Sequence, residues 1–248
     1  MLVLTSSLFN RIKSIQHGFF SKLGKINLEE APLLAPNTTS NRAKITENSN
    51  YNWNVKFLKQ IHSNKVVTIE TPTQICNHVE ADALITSLPQ VSLAIRTADC
   101  VPILLCDPET IIIGAAHAGW RGAFAGIIEK TIEQMTQLGA KHIYAVIGPC
   151  IRAQNYEVDQ DFYQNAIKIN PKSLEFFSSS HKGNHQFDLP GYCLSMLKDL
   201  RVNANDLEVD TYSNPQLFFS YRRANTKSGD AVKYGNQVSA IMINSSLF

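Results

Sequence analysis

A single mixed α/β domain is the fold class this chain predicts, on three observations. The first hundred residues are dominated by short strand-like runs. Amphipathic helical stripes begin only after His117 and then alternate with further strands. No internal repeat, low-complexity segment or linker divides the 248 residues, and that length can bury a substantial core.

The elements follow in chain order. KSIQHGFFSK (13–22) reads as a first strand with His17-Gly18 inside it, and Leu23 to Thr38 as an irregular loop. A short helix is expected near Thr39 or Ser40, ended by the Asn-rich ENSNYNWN. VKFLKQIH (55–62) and KVVTIE (65–70) flank Ser63-Asn64 as in a tight hairpin, which puts His62 at a strand end. ADALITS and VSLAIRT are two more strands, separated at Leu88-Pro89. VPILLC (101–106) and IIIGAAH (111–117) are nearly continuous apolar runs around the turn Asp107-Pro108-Glu109. Runs of that kind mark strands covered on both faces.

A helix follows His117. Phe124, Ile128, Ile132, Met135 and Leu138 form one apolar stripe, and Gly139 is a good C-cap. HIYAVIG is a strand, DQDFYQNAIKI a helix starting near Asp159, and Asn170 to Asn184 a polar surface excursion. Leu189 to Leu200 is a helix with Pro190 in its first turn. LEVDTY reads as a strand, FFSYRR as an aromatic-basic segment, and DAVKYGNQVSAIMIN as a terminal strand or hairpin.

Composition narrows the function. A hydrophobic fraction of 44% and a charged fraction of 18% describe an ordinary soluble protein. A formal net charge of +2, with Lys and Arg scattered, gives no reason to expect a nucleic-acid partner. No apolar stretch approaches the roughly 20 residues a membrane helix needs. The five cysteines are widely spaced and lack CxxC, as expected of reduced thiols in a cytoplasmic protein.

Chemistry concentrates between Arg96 and Gly122. Cys100 sits just before one buried strand and His117 closes the next, so antiparallel pairing brings thiol and imidazole to one sheet edge. Such a pair suits a metal site or a Cys/His nucleophile. Ala115, Ala116, Ala118 and Gly119 leave room beside His117. His62, also at a strand end, makes a third zinc-type ligand and leaves a fourth position open. Arg121, before a helix, suits a phosphate or carboxylate subsite or a surface ion pair. Arg222 and Arg223 suit an anion too, though on a strand only one of them can face a pocket. His181 and His185 have ligand spacing but flank a helix-breaking Lys-Gly-Asn, and His17, His78 and His142 have no partner in the pattern. Cys106, Cys150 and Cys193 read as packing residues, while Cys76 has no assignment.

KQIHSNKVV, ADALIT, TADCVPILLCDP, AAHAGWRG, IGPCIRAQNYEV and FFSYRR occur in order. Together they resemble the YfiH-like proteins, the laccase-domain family long labelled polyphenol oxidase. The resemblance runs from His17-Gly18 to Arg223 and implies a compact α/β domain with mixed sheets sandwiched between helices. It implies a zinc ion held by His62, Cys100 and His117. It also implies phosphorolysis of adenosine, inosine and S-methyl-5′-thioadenosine, with adenosine deamination as a second activity. In the mechanism this suggests, the metal site orients the nucleoside and Arg121 holds phosphate. The chain departs from the family pattern at SKLGKINLEEAP, at Ser63 after His62, and at SGD near the C-terminus, while NRAKI keeps Asn41-Arg42.

The laccase label fits poorly. Multicopper oxidases use paired H-x-H motifs, and the seven histidines here form none, so zinc is expected over copper. Rival readings are a cysteine hydrolase using Cys100 and His117, an editor of peptidoglycan precursors, and a non-enzymatic protein with a structural zinc.

Overall fold

A computed structural model describes residues 3–22, 54–226 and 235–244. The helix expected near Thr39 or Ser40, the SKLGKINLEEAP segment from Leu23 onward, NRAKI and SGD lie outside the described residues.

The strands are β1 (Val3–Leu4), β2 (Ile15–Phe20), β3 (Asn54–Lys56), β4 (Val66–Thr68), β5 (Ala83–Thr86), β6 (Val91–Thr97) and β7 (Val101–Asp107). They continue with β8 (Ile112–Ala118), β9 (Tyr144–Ile147), β10 (Glu157–Val158), β11 (Phe177–Ser179), β12 (His185–Phe187), β13 (Asn203–Asp206) and β14 (Gln237–Ile243). The α-helices are α1 (Ser7–Asn10), α2 (Trp120–Phe124), α3 (Ile127–Gln137), α4 (Gln160–Ile169), α5 (Leu189–Asp199) and α6 (Tyr221–Thr226).

A six-stranded mixed sheet, β13-β9-β7-β8-β5-β4, forms the centre of the molecule. The β7–β8 hairpin expected from the sequence is its middle, with Pro102 opposite His117 and Cys106 opposite Ile113. Asp107 sets the turn: its carboxylate accepts the N–H groups of Glu109, Thr110, Lys141 and His142. Alternation along β7 divides the core. Ile103 and Leu105 pack with Ile128, Ile132 and Met135 of α3 and with Tyr192, Cys193 and Leu197 of α5. Leu104 and Cys106 pack on the opposite face with Phe19, Leu93, Ile95 and Ile241 of the five-stranded sheet β1-β2-β14-β6-β3. Both faces are dry, which is why VPILLC and IIIGAAH carry no polar alternation. A small sheet, β10-β12-β11, carries Phe187, whose ring packs against Tyr156 and Phe162.

Four expectations need correction. There is no hairpin at Ser63-Asn64: β3 pairs in parallel with β6 in one sheet, and β4 pairs in parallel with β5 in the other. The chain between them crosses from sheet to sheet, bent at His62 and Ser63 by the Asp82 carboxylate. The stripe after His117 is two helices, because Gly126 takes a left-handed φ of 87° between them. Leu138 is therefore an exposed C-cap, and Ile127 and Thr131 are buried in α3. The strand assigned to LEVDTY lies earlier, at Asn203–Asp206, in parallel with β9. Its sequence, NAND, has little strand propensity, so pairing rather than composition makes it a strand. Finally, Arg222 and Arg223 stand on a helix.

Candidate metal centre and its cavity

The sheet register gathers the site at one edge. Asp82 immediately precedes β5, Cys100 immediately precedes β7, and His117 is the next-to-last residue of β8. The His117 N–H donates to the Asp82 carbonyl at 2.8 Å, continuing the β5–β8 ladder by one step. His62 arrives from the crossing between β3 and β4. The ligand atoms of His62, Cys100 and His117 all lie within 4.8 Å of one another. Cys100 Sγ is 3.7 Å from His62 Nε2, and the two imidazole rings meet edge-on with centroids 4.8 Å apart.

Asp82, which the sequence reading did not single out, builds this arrangement. It is completely buried, and its Oδ1 accepts from His117 Nδ1 at 2.8 Å and from the His62 N–H at 2.9 Å. Its Oδ2 accepts the Ser63 N–H at 2.6 Å and the Ser63 hydroxyl at 2.7 Å, with the Ile61 N–H at 3.3 Å. One carboxylate therefore turns His117 and bends the His62 segment, where His62 itself adopts a left-handed φ of 61°. The available signal was a charge opening the apolar run ALIT. Ser63 supplies the hydroxyl that locks this bend.

The electrostatics match a cation site. Burial alone would raise the Cys100 thiol, but His117 and then His62 outweigh it and pull the thiol well below its ordinary value. Burial alone would lower His117, yet the Cys100 thiolate and Asp82 together push it up. Asp82 itself, opposed by burial but held by His117 and Ser63, stays down at about 2. With Nδ1 donating to Asp82, His117 presents Nε2 to the site, the orientation a metal ligand needs. Once a cation displaces the proton from His117 Nε2, the Cys100 thiolate and the two imidazole nitrogens form a donor set that would fit zinc.

The centre opens into a cavity of about 840 Å³ lined by His62, Cys100, His117, Gln60, Trp120, Arg121, Tyr156, Tyr221, Arg222 and Asn225, among others. Arg121 lies over the Trp120 ring at 4.2 Å, and Arg222 over Tyr156 at 5.3 Å. Arg121 is in the first turn of α2, a helix of 5 residues, so its side chain rather than a helix dipole would meet an anion. Of the adjacent arginines only Arg222 lines the cavity. Arg223 turns away and donates to the carbonyls of Thr211, Tyr212 and Phe218. Burial and the neighbouring Cys100 raise the Tyr156 phenol, which keeps its proton.

The other histidines stand apart. His185 stacks on Tyr163 at 3.8 Å and His142 pairs with Glu109 in solvent. His17 is buried in β2, and His181 is exposed in a short turn. Cys76, Cys106, Cys150 and Cys193 are buried free thiols, and Cys76 donates to the Phe57 carbonyl.

Residues 34–244 match the family model described as multi-copper polyphenol oxidoreductase laccase. The chain belongs to that family. A Rickettsia conorii protein named purine nucleoside phosphorylase is 40% identical over 172 residues, 68% of this chain and 71% of the relative. Another so named, from Rickettsia prowazekii, is 36% identical over 220 residues, 86% of this chain and 90% of the relative. Among solved structures, the Bacillus licheniformis hypothetical protein YfiH superposes with a TM-score of 0.79 at 25% identity, covering 98% of this chain and 96% of that one. A Neisseria meningitidis protein of the family DUF152 gives 0.74 at 26% identity, covering 94% and 95%.

The family's description speaks of several coppers. In this member all seven histidines and all five cysteines fall in described segments, and among the described residues His62, Cys100 and His117 are the one group of three donors close enough for a metal. A trinuclear copper cluster has no ligands here. No helix among the described residues is long and apolar enough to cross a membrane.

Proposed function

We propose that this chain is a zinc-dependent purine nucleoside phosphorylase acting on adenosine, inosine and S-methyl-5′-thioadenosine. The observation that carries the reading is the His62, Cys100 and His117 centre opening into a cavity shared with Arg121 and Arg222. Its volume of about 840 Å³ suits a nucleoside with phosphate beside it. The names of the Rickettsia relatives support the same activity.

In this reading His62, Cys100 and His117 hold the zinc ion, and Asp82 keeps His117 in the ligating tautomer. A zinc ion bound there supplies Lewis acidity and lowers the pKa of coordinated water to about 7. Arg121 and Arg222 bind phosphate and neutralise its charge as one of its oxygens attacks C1′ of the ribose. The bond from C1′ to the purine nitrogen breaks, its electron pair leaves with the base, and the base takes up a proton. Trp120 and Tyr156 carry the two guanidinium groups on their faces and hold them toward the cavity. Deamination of adenosine, in which water adds at C6 and the amino group leaves as ammonia to give inosine, is the second activity in this proposal.

Product identification from adenosine tests both parts. Adenine and ribose 1-phosphate should form only when phosphate is supplied, and inosine should form without it. A protein with stoichiometric zinc that yields neither product under either condition would overturn the proposal.

The low thiol pKa of Cys100 beside His117 favours one second reading, a cysteine hydrolase. Iodoacetamide separates the two. Zinc ligation predicts slow alkylation of Cys100 in the holoprotein and fast alkylation after chelation. A free nucleophile predicts fast alkylation in both states.

A further inference from the structure

Asp99 precedes Cys100, is 7% exposed, and occupies left-handed backbone with φ 85°. Its carboxylate accepts three hydrogen bonds, all from far along the chain. Thr211 Oγ1 donates to Oδ1 at 2.6 Å, and Ser220 Oγ donates to Oδ2 at 2.9 Å. The Arg222 N–H donates to the same Oδ2 at 2.7 Å. The Asp99 carbonyl accepts the Ile151 N–H at 3.0 Å, fixing the backbone on which this carboxylate stands.

Ser220 Oγ also accepts the Arg223 N–H at 3.1 Å, so Asp99 and Ser220 together satisfy N–H groups in the first turn of α6. That helix has no carboxylate of its own in its first turn. Asp99 thus adds, from another part of the chain, a second acceptor beside the local cap Ser220. Removing a carboxylate from water is costly unless its oxygens are bonded, and a turn needing only shape would be served by Asn or Gly. The result is a short rigid path: Arg222 over Tyr156, the backbone of Arg222 on Asp99, and Asp99 bonded covalently to Cys100.

We propose that Asp99 is a positioning residue that fixes the Arg222 guanidinium relative to the Cys100 centre and so sets the geometry of phosphate binding. This rests on the reading of Arg222 as part of the phosphate subsite. Asp99→Asn keeps the left-handed preference and one oxygen acceptor. It should retain stoichiometric zinc and an unchanged KM for the nucleoside, while the KM for phosphate rises about tenfold. Ser220→Ala, which leaves Asp99 in place but removes one of its bonds, should shift the phosphate KM in the same direction by a smaller factor. The double variant Asp99→Asn/Arg222→Ala should bind phosphate no more weakly than Arg222→Ala alone, because the first change acts through the second residue.

Zinc loss from Asp99→Asn, equal rises in both KM values, or additive effects in the double variant would overturn the proposal. An Arg222→Ala variant with unchanged phosphate KM would instead remove the phosphate-subsite reading beneath it. An effect of Arg222→Ala with none from Asp99→Asn or Ser220→Ala would leave that reading standing and remove only the role of Asp99.

Discussion

His117 Nδ1 donates to Asp82 Oδ1 at 2.8 Å, and both side chains are almost wholly buried, at 4% and 0% exposure. The same carboxylate receives the N–H groups of His62 and Ser63, so one residue orients two of the three candidate ligands. Asp82→Asn preserves shape but places an amide N–H where an acceptor is needed. Zinc affinity, measured by competition with a chromogenic chelator, should fall about 10- to 100-fold, the range for losing a partner of a ligating histidine. Asp82→Ala should be worse, because it releases the 61–63 segment as well. Unchanged affinity in both variants would show that His117 is oriented by other means.

Gly119 packs its backbone against two of the three ligands. A Cβ there would lie 2.6 Å from His62 Cδ2 and 3.0 Å from Cys100 Sγ. Its φ of −72° is ordinary, so the glycine is required by space rather than by backbone conformation. Gly119→Ala should displace His62 and reduce zinc content sharply, while the far-UV circular dichroism stays that of the parent. Elemental analysis of the purified variant checks this, and full zinc occupancy would count against the geometry.

Chelation should separate the metal from the fold. None of the buried apolar clusters includes His62, Cys100 or His117, and Asp82 and Asp99 anchor the ligand segments without a cation. The apoprotein should therefore remain folded. Losing a ligand present at about a hundred times its dissociation constant removes about 2.7 kcal/mol of apparent stability. In a chain of this size that corresponds to a Tm lower by roughly 5–10 °C. Calorimetry of the chelated protein, followed by recovery on adding zinc, measures it; unfolding at room temperature on chelation would make the site a structural one.

What was legible in the chain depended on the range of the interactions. The β7–β8 hairpin could be read because its apolar runs and its Asp-Pro turn are local, and the register then brings Cys100 and His117 to one edge. α4 and α5 were legible for the same reason, from Asp159 at the start of one and Pro190 in the first turn of the other. His62 was reached as a strand end, but its real position is a bend imposed by Asp82, 20 residues away. FFSYRR was read as an aromatic-basic segment, with its two arginines weighed as strand neighbours of which one could face a pocket. The group that helps cap the helix of Arg222, Asp99, lies 123 residues earlier. Residues that organise a site from a distance leave only an isolated charge in an apolar run, as Asp82 and Asp99 both do.

His17 should give the fold a pH dependence independent of the candidate metal centre. It is 8% exposed, its ring meets Phe9 and Phe19 edge-on, and its Nε2 accepts the Ser6 N–H at 2.8 Å. An accepting nitrogen must be unprotonated, and burial lowers the pKa from 6.5 to about 4. The unfolded chain binds this proton near pH 6.5 and the folded protein only near pH 4. Stability is therefore full above pH 6.5, declines as the pH falls between the two values, and levels off below 4. The contribution at stake is about 3 kcal/mol. His17→Gln places an amide oxygen near the position of Nε2 and cannot titrate. Its urea midpoint should be lower than the parent's at pH 7.5, yet fall less between pH 7.5 and 5. Parallel pH profiles for the two proteins would show that His17 is not the group responsible.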